Sequence, residues 1–366
     1  MTSIADQITR PTLLVDKQKA VNNIRAMKAK SDKLGLTYRP HFKTHQSLEA
    51  GRWHKQAGIT GITVSSVDMA AYFAAEWQDI TIAFPANLRE ADAIDALNHK
   101  VKRLNLLAES PGAVRHLAGV LTKSVGVYLK IDTGYHRTGI AHSDHKKINS
   151  SLRAIKESEK LTFAGFLVHA GHTYDVSGRA AVEAIHREAI AALEVLERTY
   201  RQDHPDMIIS YGDTPSASLM EDFGPVQELR PGNLVYYDVM QMYIGACTAE
   251  QIAVCMACPI VAVHAERNEI VVYGGAVHLS KDVVEQDGQK IYGLLADLTD
   301  NGWSAPVEGG YVRKLSQEHG VIRVPSGMLE IYRPGGLVGI LPVHSCLAVD
   351  CVDDCYTLAG DRLDLF

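Results

Sequence analysis

The chain has 366 residues, 46% of them hydrophobic, with a formal net charge of -6 and an isoelectric point near 6.2. That length can bury one large core and a smaller one, and lysines and arginines scattered along an acidic chain leave no electrostatic footprint for DNA or RNA. No apolar run approaches the roughly 18 residues of a membrane span, and MTSIADQITRPTLLVD has acidic residues where a signal peptide needs an apolar stretch, so a cytosolic globular protein is expected.

From residue 11 to about 240 the β-rich runs TLLVD, TYRPHFK, GITVSS, DITIAF, RLNLLA, GVYLKID, FAGFLVHA, MIISYGD and NLVYYD are separated by amphipathic stretches such as KQKAVNNIRAMKAKSDKL. Alternation of this kind implies a parallel sheet, and so many strands favour a closed (β/α)8 TIM-type barrel over residues 10–245 rather than an open doubly wound sheet. No GxGxxG follows the first strand and no GxxxxGK[ST] occurs, so dinucleotide and P-loop readings lose their support. Over residues 246–366 strand patterns run without long helices, as in QIAVCMACPIVAVHAERNEIVVYGGAVHLS and LVGILPVHSCLAVDC. A smaller C-terminal all-β domain is expected there, with residues 1–9 packing against it.

In a parallel barrel the reactive groups gather at the C-terminal ends of the strands. The stretch RPHFKTHQS sets Lys43 between His41 and His45 at a strand-to-helix junction. Most lysines are solvated charges, and a reactive one needs surroundings that lower its pKa, so the other strand ends must decide. They deliver Asp132 to Arg137 in KIDTGYHRTG, His169 and His172 in VHAGHTY, and Ser210 to Thr214 in MIISYGDT. Taken singly, Asp132 and Gly134 are turn formers, Arg137 a solvated cation, Thr214 or Ser216 a helix N-cap, and Pro231-Gly232 a corner. Together, two glycine-containing loops with exposed N–H groups and a threonine hydroxyl suit a phosphate monoester. A lysine across the mouth can condense with an aldehyde, and pyridoxal 5'-phosphate (PLP) carries both groups.

All six cysteines, Cys247, Cys255, Cys258, Cys346, Cys351 and Cys355, fall in the C-terminal third. A reducing cytosol argues against disulfides. Only Cys255 and Cys258 have CxxC spacing, inside a strand-like run that would turn them to different faces or bury them as thiols. In LPVHSCLAVD a strand would put His344 and Cys346 on one face, within reach of one cation, although spacing alone reads first as a buried thiol beside a satisfied histidine.

The set RPHFKTHQS, KIDTGYHRTG, VHAGHTY, ELRPGNLVYYD, LSQEHG and LPVHSC resembles the D-serine dehydratase-like and D-threonine aldolase family of fold-type III PLP enzymes, which share the alanine racemase barrel. The resemblance implies that Lys43 is the Schiff-base lysine and that Arg137 bonds the cofactor's phenolic oxygen. It implies that His169 packs near the pyridine ring and that Thr214, Gly232 and Asn233 cradle the phosphate. Tyr174 and Arg230 both match positions that face the ring nitrogen, and the choice stays open. It further implies that His344 and Cys346 bind a metal, where a thiolate favours zinc over harder ions, and that His319 is a candidate acid or base near it. A homodimer acting on a small D-amino acid is implied as well. The reading is a PLP- and metal-dependent lyase of β-hydroxy D-amino acids, a D-serine, D-threonine or 3-hydroxyaspartate dehydratase or a D-threonine-type aldolase. The alternatives are an amino-acid racemase and a non-catalytic PLP-binding homeostasis protein. Two features depart from the family pattern: Ala276-Val277-His278 stands where a Ser-Lys run is common, and Asp213 brings a carboxylate into a phosphate loop.

Overall fold

The computed structural model describes residues 4–366, and the expected packing of residues 1–9 therefore concerns a stretch whose first three residues lie outside the described ones. The chain forms two compact units: one of residues 25–43, 54–232 and 366, the other of 1–24, 44–53 and 233–365.

The first unit is built on eight parallel strands, Thr37–Tyr38, Ile62–Val64, Asp79–Pro85, Arg103–Ala108, Val125–Asp132, Leu161–His169, Ile208–Gly212 and Glu228–Leu229, neighbouring one another in chain order. Glu228–Leu229 pairs with Thr37–Tyr38, and a parallel bridge from His41 to Thr63 joins the first strand to the second, so the ring closes. At that seam Phe42 N donates to Thr63 O at 2.8 Å and Thr63 N to Pro40 O at 2.9 Å. Leu107, Tyr128 and Leu167 form a buried cluster on three neighbouring strands. Gly165 sits at φ 139°, and a Cβ there would lie 1.9 Å from Ile208 O, so only glycine lets these two strands approach. Ser66, Ser110 and Asp144 cap the helices that follow three of the strands by accepting backbone N–H bonds.

Two of the nine expected barrel strands lie elsewhere. TLLVD supplies Thr12–Val15, which pairs antiparallel with Val254–His264 and parallel with Asp354–Thr357 in the second unit. NLVYYD curls into the 3-10 turn Asn233–Val235, passes through left-handed backbone at Tyr237, and ends with Asp238 capping the helix Val239–Ile244. The eighth barrel strand is instead the two-residue Glu228–Leu229. Short apolar runs have no periodicity that says which sheet they enter.

The second unit is all-β in its main sheet, as expected. Val254–His264, Glu269–Tyr273, His319–Arg323, Tyr311–Leu315, Gly293–Ala296 and Leu337–Pro342 pair antiparallel in that order, and the last pairs back to the first. Thr12–Val15 extends this ring from Val254–His264. Among the described residues no helix is long and apolar enough to cross a membrane.

The barrel seam carries a buried ionic chain. Arg39 donates from Nη1 and Nη2 to Asp79 at 2.9 and 3.0 Å and from Nε to Glu228 at 2.6 Å. Ser210 Oγ donates to the other Glu228 oxygen at 2.6 Å and accepts from Arg230 Nε at 2.6 Å, and Arg230 Nη2 reaches Val168 O. Removing one member leaves an uncompensated buried charge. Arg39→Ala should therefore lower unfolding free energy by about 3–5 kcal/mol, read from urea denaturation.

Candidate active site

The turn after the first barrel strand runs from Phe42 to His45, and Lys43 is exposed on it. His41 Nδ1 accepts from the Lys43 backbone N–H at 3.3 Å and His45 Nδ1 from that of Ser47 at 3.1 Å. The two imidazoles that flank the amine in sequence thus fasten the turn's backbone.

The KIDTGYHRTG loop is shaped by Asp132, whose Oδ1 accepts from the N–H groups of Gly134 and His136, both at 3.0 Å, while Oδ2 lies 3.0 Å from His136 Nδ1. Glu109 closes the far side by accepting from Gly139 N at 2.6 Å. Arg137 is exposed and lies over the Tyr135 ring, 4.9 Å from its centroid. Tyr135 in turn stacks on His172 and meets His169 edge-on. Gly171 is required beneath it, because a Cβ would come within 2.3 Å of the Tyr135 ring. Lys130, on the strand leading into this loop, donates to Ile131 O and is brought down to about 7 by burial, then by Arg230 and Arg137.

His169 ends its strand with Nδ1 2.6 Å from Gly212 O. A carbonyl only accepts, so Nδ1 carries the proton and Nε2 keeps its lone pair. Burial, reinforced by Arg137, Lys43 and Lys130, holds its pKa well below 6.5, and the ring is neutral. Tyr174 Oη accepts from Thr214 N at 3.3 Å, at the head of the helix Thr214–Leu219. The residue capping that helix is Asp213, which corrects the expectation of Thr214 or Ser216. The Asp213 carboxylate turns inward to Ser216 N at 2.6 Å and Thr173 Oγ1 at 3.1 Å, and the buried Thr214 hydroxyl has no partner. Arg230 is buried below the rim, its Nε and Nη2 engaged by Ser210 and Val168. Gly232 follows at the corner next to Asn233.

In the second unit His344 and Cys346 are brought into hydrogen-bond contact, by a route other than the expected strand. The strand stops at Pro342, His344 is the extended N-cap residue, and Cys346 sits in the helix Ser345–Asp350. Cys346 Sγ lies 3.2 Å from Thr44 Oγ1 and 3.8 Å from Asn233 Nδ2. The fully buried Asp238 accepts from Asn233 Nδ2 at 2.5 Å and from Ser345 N at 2.9 Å, tying Asn233 to the His-Ser-Cys segment. Burial opposes charge on His344, but Cys346, Asp282 and Asp238 outweigh it and push the imidazole up to about 11. Imidazole and thiol are a borderline-soft donor pair suited to zinc. Among the described residues no group of three or more His, Cys, Asp and Glu side chains could hold an ion, so further ligands would be water or substrate. His319 is exposed at the start of its strand, opposite Tyr273. Among the described residues no disulfide is formed, and Cys255 and Cys258 are fully buried thiols. A cavity of about 530 Å³ lined by Arg10, Tyr273, His278 and Asp354 contains none of the expected site residues.

The chain belongs to the alanine racemase N-terminal domain family, whose model matches residues 15–239, and a putative serine dehydratase domain model matches residues 253–358. It is similar to D-threo-3-hydroxyaspartate dehydratase of Delftia sp. (strain HT23), 28% identical over 348 residues covering 92% of this chain and 90% of the relative. It is similar also to D-serine dehydratase of Dictyostelium discoideum, at 27% over 394 residues covering 98% and 95% of the two chains. D-threonine aldolase of Arthrobacter sp. matches at 24% over 241 residues, 63% of this chain and 62% of the relative. The solved Delftia dehydratase superposes with a TM-score of 0.90 at 25% identity, covering 100% of this chain and 99% of that one. A cysteine-to-alanine variant of a D-threo-3-hydroxyaspartate dehydratase, solved in the metal-free form, has a TM-score of 0.92 at 24% identity, with 100% and 99% coverage.

Burial raises the Asp213 carboxyl from 3.8 to about 6. A folded-state pKa above the unfolded one means the proton is bound more tightly when folded, so this contribution to stability is full below about 4 and lost as pH rises to about 6. At about 1.4 kcal/mol per unit the swing is up to about 3 kcal/mol. Asp213→Asn, which still caps, should lose that slope, and urea unfolding compared at about pH 4.5 and pH 7 measures it.

Proposed function

We infer that this chain is a PLP- and zinc-dependent lyase acting on β-hydroxy D-amino acids, with dehydration ahead of aldol cleavage. The observation that carries the reading is the pairing of the His344 imidazole with the Cys346 thiol, whose Sγ lies 3.2 Å from the hydroxyl of Thr44, the residue after Lys43 in the chain. The similarity to two dehydratases over nine-tenths or more of this chain supports it. A racemase requires no such metal pair, and a non-catalytic PLP binder requires no second unit carrying one.

The groups present suit both cofactors. The unpartnered Thr214 hydroxyl and the Gly232-Asn233 corner offer donors to a phosphate, while the Asp213 carboxylate is turned to Ser216 N. PLP when bound supplies an electron sink for charge developing at Cα, and zinc supplies a Lewis acid for the β-hydroxyl. Lys43 is assigned to anchor the aldehyde carbon and then to take the α-proton from one face. Arg137 is assigned to the phenolic oxygen. Neutral His169, its Nδ1–H fixed by Gly212 O, presents a flat, uncharged ring edge to the cofactor. Since Arg230 spends its Nε and Nη2 donors below the rim, Tyr174 is the better candidate for the ring nitrogen. For His319 we assign proton transfer at the departing hydroxyl.

The test is a product assay with D-serine, D-threonine and D-3-hydroxyaspartate. Keto acid and ammonia are expected; glycine plus an aldehyde would select aldol cleavage, and inversion without metal dependence would select racemisation. Lys43→Ala should lower kcat by at least about 10³-fold and abolish the visible absorbance of lysine-bound PLP. A chelator should stop turnover and leave that absorbance intact. Turnover that survives the chelator removes His344 and Cys346 from the mechanism.

A further inference from the structure

We propose that Asp282 is a positioning residue for His344, holding its imidazole in the Nδ1-protonated form so that Nε2 is the nitrogen presented to a cation. The proposal rests on the zinc reading of His344 and Cys346.

Asp282 Oδ2 lies 2.6 Å from His344 Nδ1. A carboxylate can only accept, so the shared proton belongs to Nδ1, and Nε2 is the nitrogen whose proton a cation would displace. A ring held this way cannot rotate or change tautomer without losing a short charge-assisted bond. The other carboxylate near His344 is engaged elsewhere: Asp238 accepts from Asn233 Nδ2, Ser345 N, Ser345 Oγ and Gln241 N. Nor does the helix that begins after His344 claim the imidazole, which makes no cap bond to it. Among the described residues the carboxylate bonded to the ring is therefore that of Asp282, brought there from 62 residues away.

The segment carrying Asp282 is itself fixed. Its N–H donates to Ser280 Oγ at 3.2 Å, with Ser280 held at φ 65°, and the hairpin Val284–Gln286 with Gln289–Ile291 begins two residues later. The backbone on both sides of the half-exposed aspartate is thus set by local geometry. Hydrogen bonding of a ligating imidazole to a carboxylate raises its basicity and fixes its direction, and losing such a partner costs 10–100-fold in metal affinity as an order of magnitude.

The experiment titrates zinc into metal-stripped, PLP-loaded protein against a chromogenic chelator. Asp282→Ala should weaken zinc binding by about 10–100-fold while the visible PLP absorbance and the far-UV circular dichroism of the metal-free protein stay at wild-type values. Asp282→Asn should fall between wild type and the alanine variant, because an amide oxygen accepts the same bond without the charge, and it serves if the alanine variant fails to fold. Wild-type affinity in both variants, or a drop accompanied by loss of the visible PLP absorbance or of the circular dichroism, overturns the positioning role. Zinc binding that survives Cys346→Ala and His344→Ala would instead overturn the metal reading itself.

Discussion

The eight-stranded ring depends on one guanidinium. Arg39 emerges where the first strand meets the last and the second, and its Nε and both terminal nitrogens go to Glu228 and Asp79, carboxylates that begin two other strands. A Cβ on Gly61 would strike this guanidinium at 2.6 Å, so the neighbouring strand leaves it room. Through Ser210 the chain of charge continues to Arg230, whose side chain a Cβ on Gly212 would meet at 3.3 Å. The same loop presents Asp213, Thr214 and the carbonyl that fixes His169. Closing the ring and shaping its rim are thus one electrostatic arrangement, in which opposite charges compensate and Ser210 links the Arg39–Glu228 pair to Arg230.

Much of the parallel architecture was legible because its signals are local. Runs such as RLNLLA and GVYLKID sit between helices whose start is marked by Ser110 or Asp144, and both became barrel strands with capped helices after them. What sequence could not say was where the edge pieces go. Thr12–Val15 reads like any buried strand, yet its partners are more than 200 residues away. The two-residue strand Glu228–Leu229 is too short to carry a period, and it exists because the barrel needs an eighth neighbour for Thr37–Tyr38.

At the candidate site the strand-end rule placed Lys43, Arg137, His169 and Thr214 at or just beyond the C-terminal ends of barrel strands, which is where the structure has them. The orientations were not legible. Arg230 ties Ser210 and Val168 from a buried position, and Asp213, which read as an intrusion, is a helix cap. His344 and Cys346 meet through an extended residue followed by a helical turn, not through the period of a strand. Asp238 carried a recoverable signal, an acidic residue before a helical run, whereas Asp282 carried none, because its partner lies on a different segment of the chain.

The placement of Thr12–Val15 has a consequence for how the chain is made. The strand leaves the ribosome early, but it is held between Val254–His264 and Asp354–Thr357, the latter only a few residues from the C-terminus. Its backbone groups must therefore wait, unpaired, until segments more than 200 residues further along have been made, while most barrel strands find partners close by in sequence. Asp354–Thr357 covers one side of Thr12–Val15, so a nascent chain in which it has not yet emerged keeps an open apolar strand edge, the kind of surface that chaperones hold and aggregates recruit.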